Sequence, residues 1–267
     1  MKIITWNVNG LRAVERKGEL EHLIAVQRPD FLLLQEIKGK REQFSSFLTE
    51  HESYEQFYHS AEKPGYAGTG VWMHKKFADA YTTKINFNTH VPDAPNHDEG
   101  RMSHLTFTHG KKIYDILSIY FPNGGKSPQA WKEKLIFFDK VLDFMNDLRA
   151  QGHRVIVGGD MNVAHEAIDL ARPKENDGHI GFHPDERAWM DHVIADKWVD
   201  VWRAINPSVT DVYSWWDSYT HARDRNVGWR IDYFFIDKKQ LKNVQEIAYL
   251  NEQYGSDHCP LLMDFKM

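Results

Sequence analysis

Eight short strand-like runs set the strongest limit on how this chain can fold. They are KIITWNV (2–8), FLLLQEI (31–37), GVWMHK (70–75), RMSHLTFT (101–108), IYDILSIYF (113–121), RVIVGGD (154–160), RIDYFFI (230–236) and PLLMDF (260–265). Several are continuously apolar, as strands buried on both faces are, whereas SHLTFT alternates. Helical patterns lie between them. Over 128–149 the residues Trp131, Leu135, Phe138, Leu142, Met145 and Leu148 recur at spacings of three and four, giving one apolar stripe. Ser127 is placed to cap that helix, Pro128 suits its first position and Gly152 ends it. Shorter helices are expected at 18–27, 41–50 and 185–196. Apolar strands interleaved with amphipathic helices indicate a layered α/β protein. No linker or repeat stands out, so one domain spanning 1–267 is expected, built of packed sheets flanked by helices.

Composition narrows the class. A hydrophobic share of 42% and nine Trp among 267 residues are ample for a large core. No stretch approaches the roughly 20 apolar residues that cross a bilayer, and MKIITWNVNG lacks the apolar core of a secretory signal. Cys259 is the only cysteine, which excludes an internal disulfide and fits a reducing compartment. A cytoplasmic protein with no membrane association is expected. The net charge of −5 argues on its face against a nucleic-acid binder. A metal-dependent phosphodiesterase escapes that objection, because it clusters carboxylates around a cation and carries basic residues on the rim.

The informative polar residues end or interrupt the apolar runs. Asn7 and Asn9 follow KIITW, Glu36 follows FLLLQ, Tyr120 closes DILSIY, and Asp160 and Asn162 follow RVIVGG. Asp232 sits in WRIDYFF, and Asp257 and His258 precede PLLMDF. One such residue reads most simply as a turn former; six strand ends loaded alike suggest a shared site where the ends converge. Hard cations such as Mg²⁺ take oxygen ligands, which Asn7, Glu36 and Asp257 could supply. His258 has no Cys or second His at zinc spacing. Neither a G-x-S-x-G elbow nor a G-x-x-x-x-G-K-[ST] loop is present.

Six blocks in order, TWNVNGLRA, LLQEIK, IYFPNGG, GGDMNVAHEAIDL, NVGWRIDYFF and GSDHCP, span nearly the whole chain. They resemble the exodeoxyribonuclease III / AP endonuclease family of the endonuclease–exonuclease–phosphatase fold. The resemblance implies a four-layered αββα sandwich of two mostly antiparallel sheets flanked by helices. It implies Mg²⁺-dependent hydrolysis (Mn²⁺ being the alternative) of double-stranded DNA at abasic sites and at blocked or recessed 3′ ends, by a monomer. By the same resemblance Glu36 is the main metal carboxylate, with Asn7 and Asp257 close to the ion and Asp160, Asn162 and His258 also within the metal group. Asp160 activates or positions the attacking water. Asn162 and Tyr120 bind the scissile phosphate, and Asp232 orients the phosphate-contacting His258. A carboxylate partner fixes the imidazole tautomer and favours its charged form.

Trp215, Trp229 and Ile231 either fill core or form the family's apolar pocket for a flipped-out, baseless sugar. Arg223, Arg225 and Arg230 would then set positive charge beside that pocket. Further family DNA contacts map onto Arg12, Lys17, Tyr66, Lys126, Arg172, Asn176 and His179. The sequence departs from the family at Asn9, where some members carry Asp, at Arg172, where Asn is common, and at His179, in a segment that often reads NAGF. An imidazole at 179 is expected to weaken cleavage at internal abasic sites while sparing 3′-end processing. His165 and Asp169 read as structural; His22, His51, His109 and His153 read as surface. Gly255 is expected to bend the chain so that Asp257 and His258 face one site, Asp257 on the metal side and His258 on the phosphate side. Two other functions share these features: a phosphoinositide or sphingomyelin phosphodiesterase (or secreted DNase) of the same fold, and a catalytically silent DNA-binding module. The GWRID segment and the filled catalytic positions weigh against them.

Overall fold

Alternation along the strands builds the layers. In β1 (Lys2–Asn7) Ile3 faces one way and Ile4 and Trp6 the other; in β2 (Phe31–Gln35) Phe31 and Leu33 oppose Leu32 and Leu34. Both faces are apolar, so each strand is covered on both sides. The structure, a computed structural model, describes residues 1–77 and 85–267. Its other strands are β3 (Tyr54–His59), β4 (Thr69–His74), β5 (Ile85–Asn88), β6 (Met102–His109), β7 (Lys112–Tyr120), β8 (Arg154–Asp160), β9 (Trp198–Asp200), β10 (Trp215–Trp216), β11 (Gly228–Trp229), β12 (Asp232–Asp237), β13 (Val244–Tyr249) and β14 (Leu261–Phe265).

One six-stranded sheet runs β13-β14-β1-β2-β4-β3 and the other β5-β6-β7-β8-β12-β9, while β10 and β11 form a two-stranded ribbon. In each large sheet only the third and fourth strands, β1–β2 and β7–β8, pair in parallel. The two sheets therefore share one topological pattern, which no sequence repeat announces. Ile3, Phe31 and Leu33 of the first sheet pack against Ile116, Ile156 and Phe234 of the second. The outer face of the first sheet is covered by helices Leu11–Arg16 and Glu19–Gln27, that of the second by Pro128–Ala150 and Pro184–Ala195. The expected four-layered sandwich is the observed one. Truncating an interior residue such as Leu33 to Ala would cost about 2–5 kcal/mol. Among the described residues no helix is long and apolar enough to cross a membrane.

The long helix is Pro128–Ala150, with Ser127 Oγ accepting from Ala130 N as a cap. Its buried face differs from the predicted stripe: Lys134, Phe137 and Val141 join it, and Leu135 is only half-buried. The helix expected at 41–50 is instead a 3₁₀ turn, Arg41–Gln43, followed by the single turn Ser46–Thr49. Ser45 Oγ, accepting from Leu48 N, starts a new helix there and splits the segment. Strands β3, β5, β9 and β13 were not expected. They are sheet edges, where polar residues obscure the apolar signal. His153 is not free surface either, because its Nδ1 lies 2.7 Å from Asp115 Oδ2, while His104 and Thr106 hold Oδ1 of that buried carboxylate.

At one end the layer between the sheets turns polar. Gln35 Nε2 donates to Ser118 Oγ (2.9 Å) and Thr5 Oγ1 (3.0 Å), and Thr69 and Ser103 hydroxyls meet at 2.9 Å. In β8, Gly158 and Gly159 allow the close approach that places the next residue, Asp160. A Cβ at 158 would lie 2.6 Å from the Phe234 ring, and one at 159 would lie 1.9 Å from Ile119 O. The carboxyl ends of β1, β2, β7 and β8 open beside this polar end.

Candidate active site

Asn7 ends β1 and joins two carboxylates. Its Nδ2 donates to Glu36 Oε1 (2.9 Å) and to Asp160 Oδ2 (2.8 Å). Glu36 follows β2 with φ of 51°, and Asn162 follows β8 with φ of 53°. Left-handed backbone at non-glycine residues persists where the surrounding structure over-determines it. Here it turns both side chains back over the strand ends. Asn162 N donates to Asp160 Oδ1 (2.8 Å), and its Nδ2 donates to Phe121 O (3.0 Å).

Asp232 opens β12 directly opposite Asp160 in the antiparallel register. Its Oδ2 lies 2.8 Å from His258 Nδ1, and His258 Nε2 lies 3.9 Å from Asp160 Oδ2. Burial lowers the His258 pKa, but Asp232, then Asp160 and Asp257, outweigh it and push the value up to about 10. Asp160 is pushed up to about 7 by burial and by Asp232, against the opposing pull of His258. Burial first, then Glu36 and Asp160, raises the Tyr120 phenol well above its ordinary value, so it stays protonated. The Arg101 guanidinium stacks 4.9 Å from its ring.

Asp257 lies beside this group. Its Oδ1 accepts from Asn9 Nδ2 (2.9 Å) and its Oδ2 from Trp215 Nε1 (3.2 Å). Burial alone would raise its pKa; His258 and the Asn9 and Trp215 hydrogen bonds hold it below the usual carboxylate range. The expected bend exists. Gly255 has φ of 110°, Ser256 Oγ donates to Asn7 O (2.8 Å) and accepts from His258 N (3.2 Å), and the side chains at 257 and 258 line one cavity.

That cavity, about 390 Å³, is lined by nine of the predicted residues; Asn7 and Asp232 stand behind it. Glu36, Tyr120, Asp160, Asn162, Asp257 and His258 form its polar side, and Trp215, Trp229 and Ile231 its apolar side. Trp215 pairs with Trp229 across the β10–β11 ribbon, and both pack on Ala164, Leu170 and Phe182. Three lining residues were not singled out from the sequence: Asn123, Ile180 and Gly181. Asn123 lies in the IYFPNGG block, and Ile180 and Gly181 adjoin His179 in the segment that often reads NAGF in the family, so both places carried a signal. Lys38, in LLQEIK, was also missed. Its Nζ pairs with Glu36 Oε2 (2.8 Å) and donates to Asn9 Oδ1.

The remaining predicted contacts lie outside the cavity lining. Lys126 Nζ donates to the Tyr66 hydroxyl (2.6 Å) and stacks 4.1 Å from its ring, so these two are brought together. Lys17 donates to Gly255 O (2.7 Å) and Arg225 to Thr220 O (3.0 Å). Arg172 pairs with Glu175, and Asn176 donates to Arg172 O (2.9 Å). Arg12 is half-buried on helix Leu11–Arg16. His179 is exposed, and its neighbour Ile180, rather than the imidazole, lines the cavity.

Arg230 is not the phosphate contact expected. Arg230 is fully buried. Its Nε donates to Asp169 Oδ1 (2.8 Å) and its Nη2 to Asp200 Oδ2 (2.6 Å), so it holds carboxylates inside the protein and cannot meet a phosphate. Arg223 stacks between Trp216 and Tyr254 and donates to Asn251 O (2.6 Å) and Gln253 O (2.9 Å), which pins the loop leading to Asp257. Asp169 holds Arg230 and Arg203, and His165 Nε2 lies 2.8 Å from Asp191 Oδ1. Cys259 is buried beside Tyr213 and Trp216.

Residues 4–258 match the endonuclease/exonuclease/phosphatase family. An exodeoxyribonuclease of Bacillus subtilis is 34% identical, covering 98% of each chain. A DNA-(apurinic or apyrimidinic site) endonuclease of Dictyostelium discoideum is 33% identical over 98% of this chain and 69% of its own length. An AP endonuclease structure from Leishmania major superposes with a TM-score of 0.89 at 26% identity, covering 100% of this chain and 87% of that one. The chain therefore belongs to the endonuclease/exonuclease/phosphatase family, in its exodeoxyribonuclease III / AP endonuclease branch, and is a nuclease.

Proposed function

We propose that the protein is a Mg²⁺-dependent repair phosphodiesterase, able to use Mn²⁺, that cleaves double-stranded DNA at abasic sites and trims blocked or recessed 3′ ends. The observation carrying this reading is that the acid–amide–imidazole cluster and the Trp215–Trp229–Ile231 wall share one cavity. The chemistry of the cluster suits a hard cation: one ligand atom each from Glu36, Asp160 and His258 lies within 4.8 Å of the others, and two of the three are carboxylate oxygens. Glu36 and Asp160 would hold the ion, with Asn7 and Asp257 beside them, and Asn162 and His258 at its edge. When bound, the cation neutralises charge on the phosphate.

The chain's own groups do the rest. Asp160, fixed by Asn7 and Asn162, orients the attacking water and accepts its proton. The water oxygen bonds to phosphorus as the bond to the leaving oxygen breaks. Asn162 Nδ2, the Tyr120 hydroxyl and His258 Nε2–H donate to phosphate oxygens as their charge grows. Asp232 favours the imidazolium form of His258, which suits a phosphate donor better than a cation ligand. The apolar wall receives a sugar without a base, whose extrusion costs least.

Fluorescent duplexes bearing an internal abasic site or a 3′-phosphate test the reading. Cleavage of both in Mg²⁺, lost in EDTA and in Asp160→Asn, is expected; metal-independent cleavage would refute it. A second reading, 3′-end processing with weak abasic cleavage, draws on the 179–181 turn, where Ile180 is 40% exposed at the cavity wall. It predicts faster cleavage of the internal abasic duplex by His179→Asn than by wild type; an equal or slower rate removes it.

A further inference from the structure

Helix Pro128–Ala150 carries a lysine on its buried face. Lys134 is 0% exposed, in a position where the neighbouring buried side chains Phe137 and Phe138 are apolar. A buried ammonium is costly unless all three of its donors are used. Here its contacts reach different parts of the chain. One goes to Asn123 O (3.1 Å), in the loop after β7, and one to Asn162 O (3.1 Å), in the loop after β8. The ammonium also forms an ion pair with Glu186 Oε1, and Glu186 too is fully buried. Glu186 in turn uses Oε2 to accept from Gly181 N (2.7 Å) and His183 N (2.9 Å). Asn123, Asn162 and Gly181 all line the catalytic cavity, yet neither Lys134 nor Glu186 does. Room for the lysine is built in, since a Cβ on Gly124 would lie 2.9 Å from Lys134 Cδ.

We propose that the Lys134–Glu186 pair is a positioning element for the phosphodiesterase site, fastening three separate loops so that the Asn162 and Asn123 amides and the Gly181 wall keep a fixed geometry. The assignment rests on the catalytic reading above and adds residues that touch no reacting atom. A pair serving only stability would be replaceable by apolar side chains of like volume, often with no loss of stability. A pair serving geometry would not be, because the loop carbonyls and amides would lose their common partner and the amides would drift. Displacements on the order of 1 Å can cost about 100-fold in rate.

The test compares wild type, Lys134→Met, Glu186→Gln and the surface control Lys132→Met on a 3′-phosphate duplex. kcat and KM are measured in Mg²⁺, duplex affinity in EDTA, and the thermal midpoint by circular dichroism. The proposal expects kcat to fall about 100-fold in Lys134→Met and at least about tenfold in Glu186→Gln, with KM and metal-free duplex affinity within about threefold of wild type. Lys132→Met should match wild type. In an Asn162→Ala background, Lys134→Met should add little, because the two act through one group. A folded Lys134→Met with kcat within about twofold of wild type would overturn the proposal. So would loss of folding in both variants, which would make the pair a core fastener. An inactive wild type would instead overturn the catalytic reading itself.

Discussion

Arg230→Met separates two roles that the GWRID segment could support. As a surface phosphate contact, Arg230 would contribute to DNA affinity and to its salt dependence. As the buried partner of Asp169 and Asp200, it should contribute to stability instead. Both carboxylates are almost fully buried, and only Asp169 keeps a second cation, Arg203. Removing the arginine leaves Asp200 without its guanidinium in the interior. Breaking one side of a buried pair costs about 3–5 kcal/mol. At about 2 °C per kcal/mol for a chain of this size, the thermal midpoint should fall by roughly 6–10 °C. The acid response should change as well. Burial works to raise the Asp169 pKa, but Arg230 and Arg203 prevail and hold it below its ordinary value. A depressed folded-state pKa gives stability that is present above the unfolded carboxylate range and lost as pH falls through the folded value. Wild type should therefore lose stability on acidification more steeply than Arg230→Met. Melting curves from pH 7 down to about pH 3, with duplex affinity against salt in EDTA, decide the matter. An unchanged midpoint together with a salt slope smaller by about one unit would refute the buried-anchor account and restore the phosphate contact.

Four further outcomes follow from the geometry. Asp232→Asn removes the partner that orients and charges His258, and kcat should fall about 100-fold or more with KM little changed; a change in KM alone would contradict this. Trp229→Ala should slow cleavage of the abasic duplex about tenfold more than removal of a 3′-phosphate, measured side by side; equal losses would remove the pocket from lesion recognition. Lys126→Ala, which leaves Arg101 as the cation donating to the Tyr66 hydroxyl, should weaken binding to every duplex alike and lower the salt slope by about one; an unchanged slope would place Lys126 off the DNA path. Asp115→Asn leaves His104 and His153 without their shared buried carboxylate and should cost about 3–5 kcal/mol by chemical denaturation, with cleavage retained below the new midpoint; an unaltered midpoint would show the cluster to be dispensable.

What could be read in the sequence follows a physical line. Asn7, Glu36, Tyr120, Asp160, Asn162, Asp232 and His258 were legible because each ends or breaks an apolar run, and the strands that carry them are buried on both faces. The same contrast fails inside the protein. Lys134, Glu186 and Arg230 look like surface charges by composition, and only three-dimensional packing reveals that their partners are other buried groups. Leu135 and Lys134 differ by one residue on a helix, about 100° of rotation, so a small error in the phase of the stripe hid the lysine. The edge strands β3, β5, β9 and β13 escaped for a related reason, since half of an edge is polar. Ile180 and Gly181 reach the cavity through a turn tied to Glu186 only five residues on, a polar contact that hydrophobic patterning does not show.

The central claim is that the cluster around Glu36 and Asp160 holds the cation that phosphodiester cleavage needs. Manganese titration followed by electron paramagnetic resonance, run alongside cleavage of the abasic duplex, tests it most directly. Wild type should bind Mn²⁺ and cleave, and Glu36→Gln should lose both together while keeping its thermal midpoint. Undiminished Mn²⁺ binding in Glu36→Gln, or cleavage that survives the loss of binding, would contradict it.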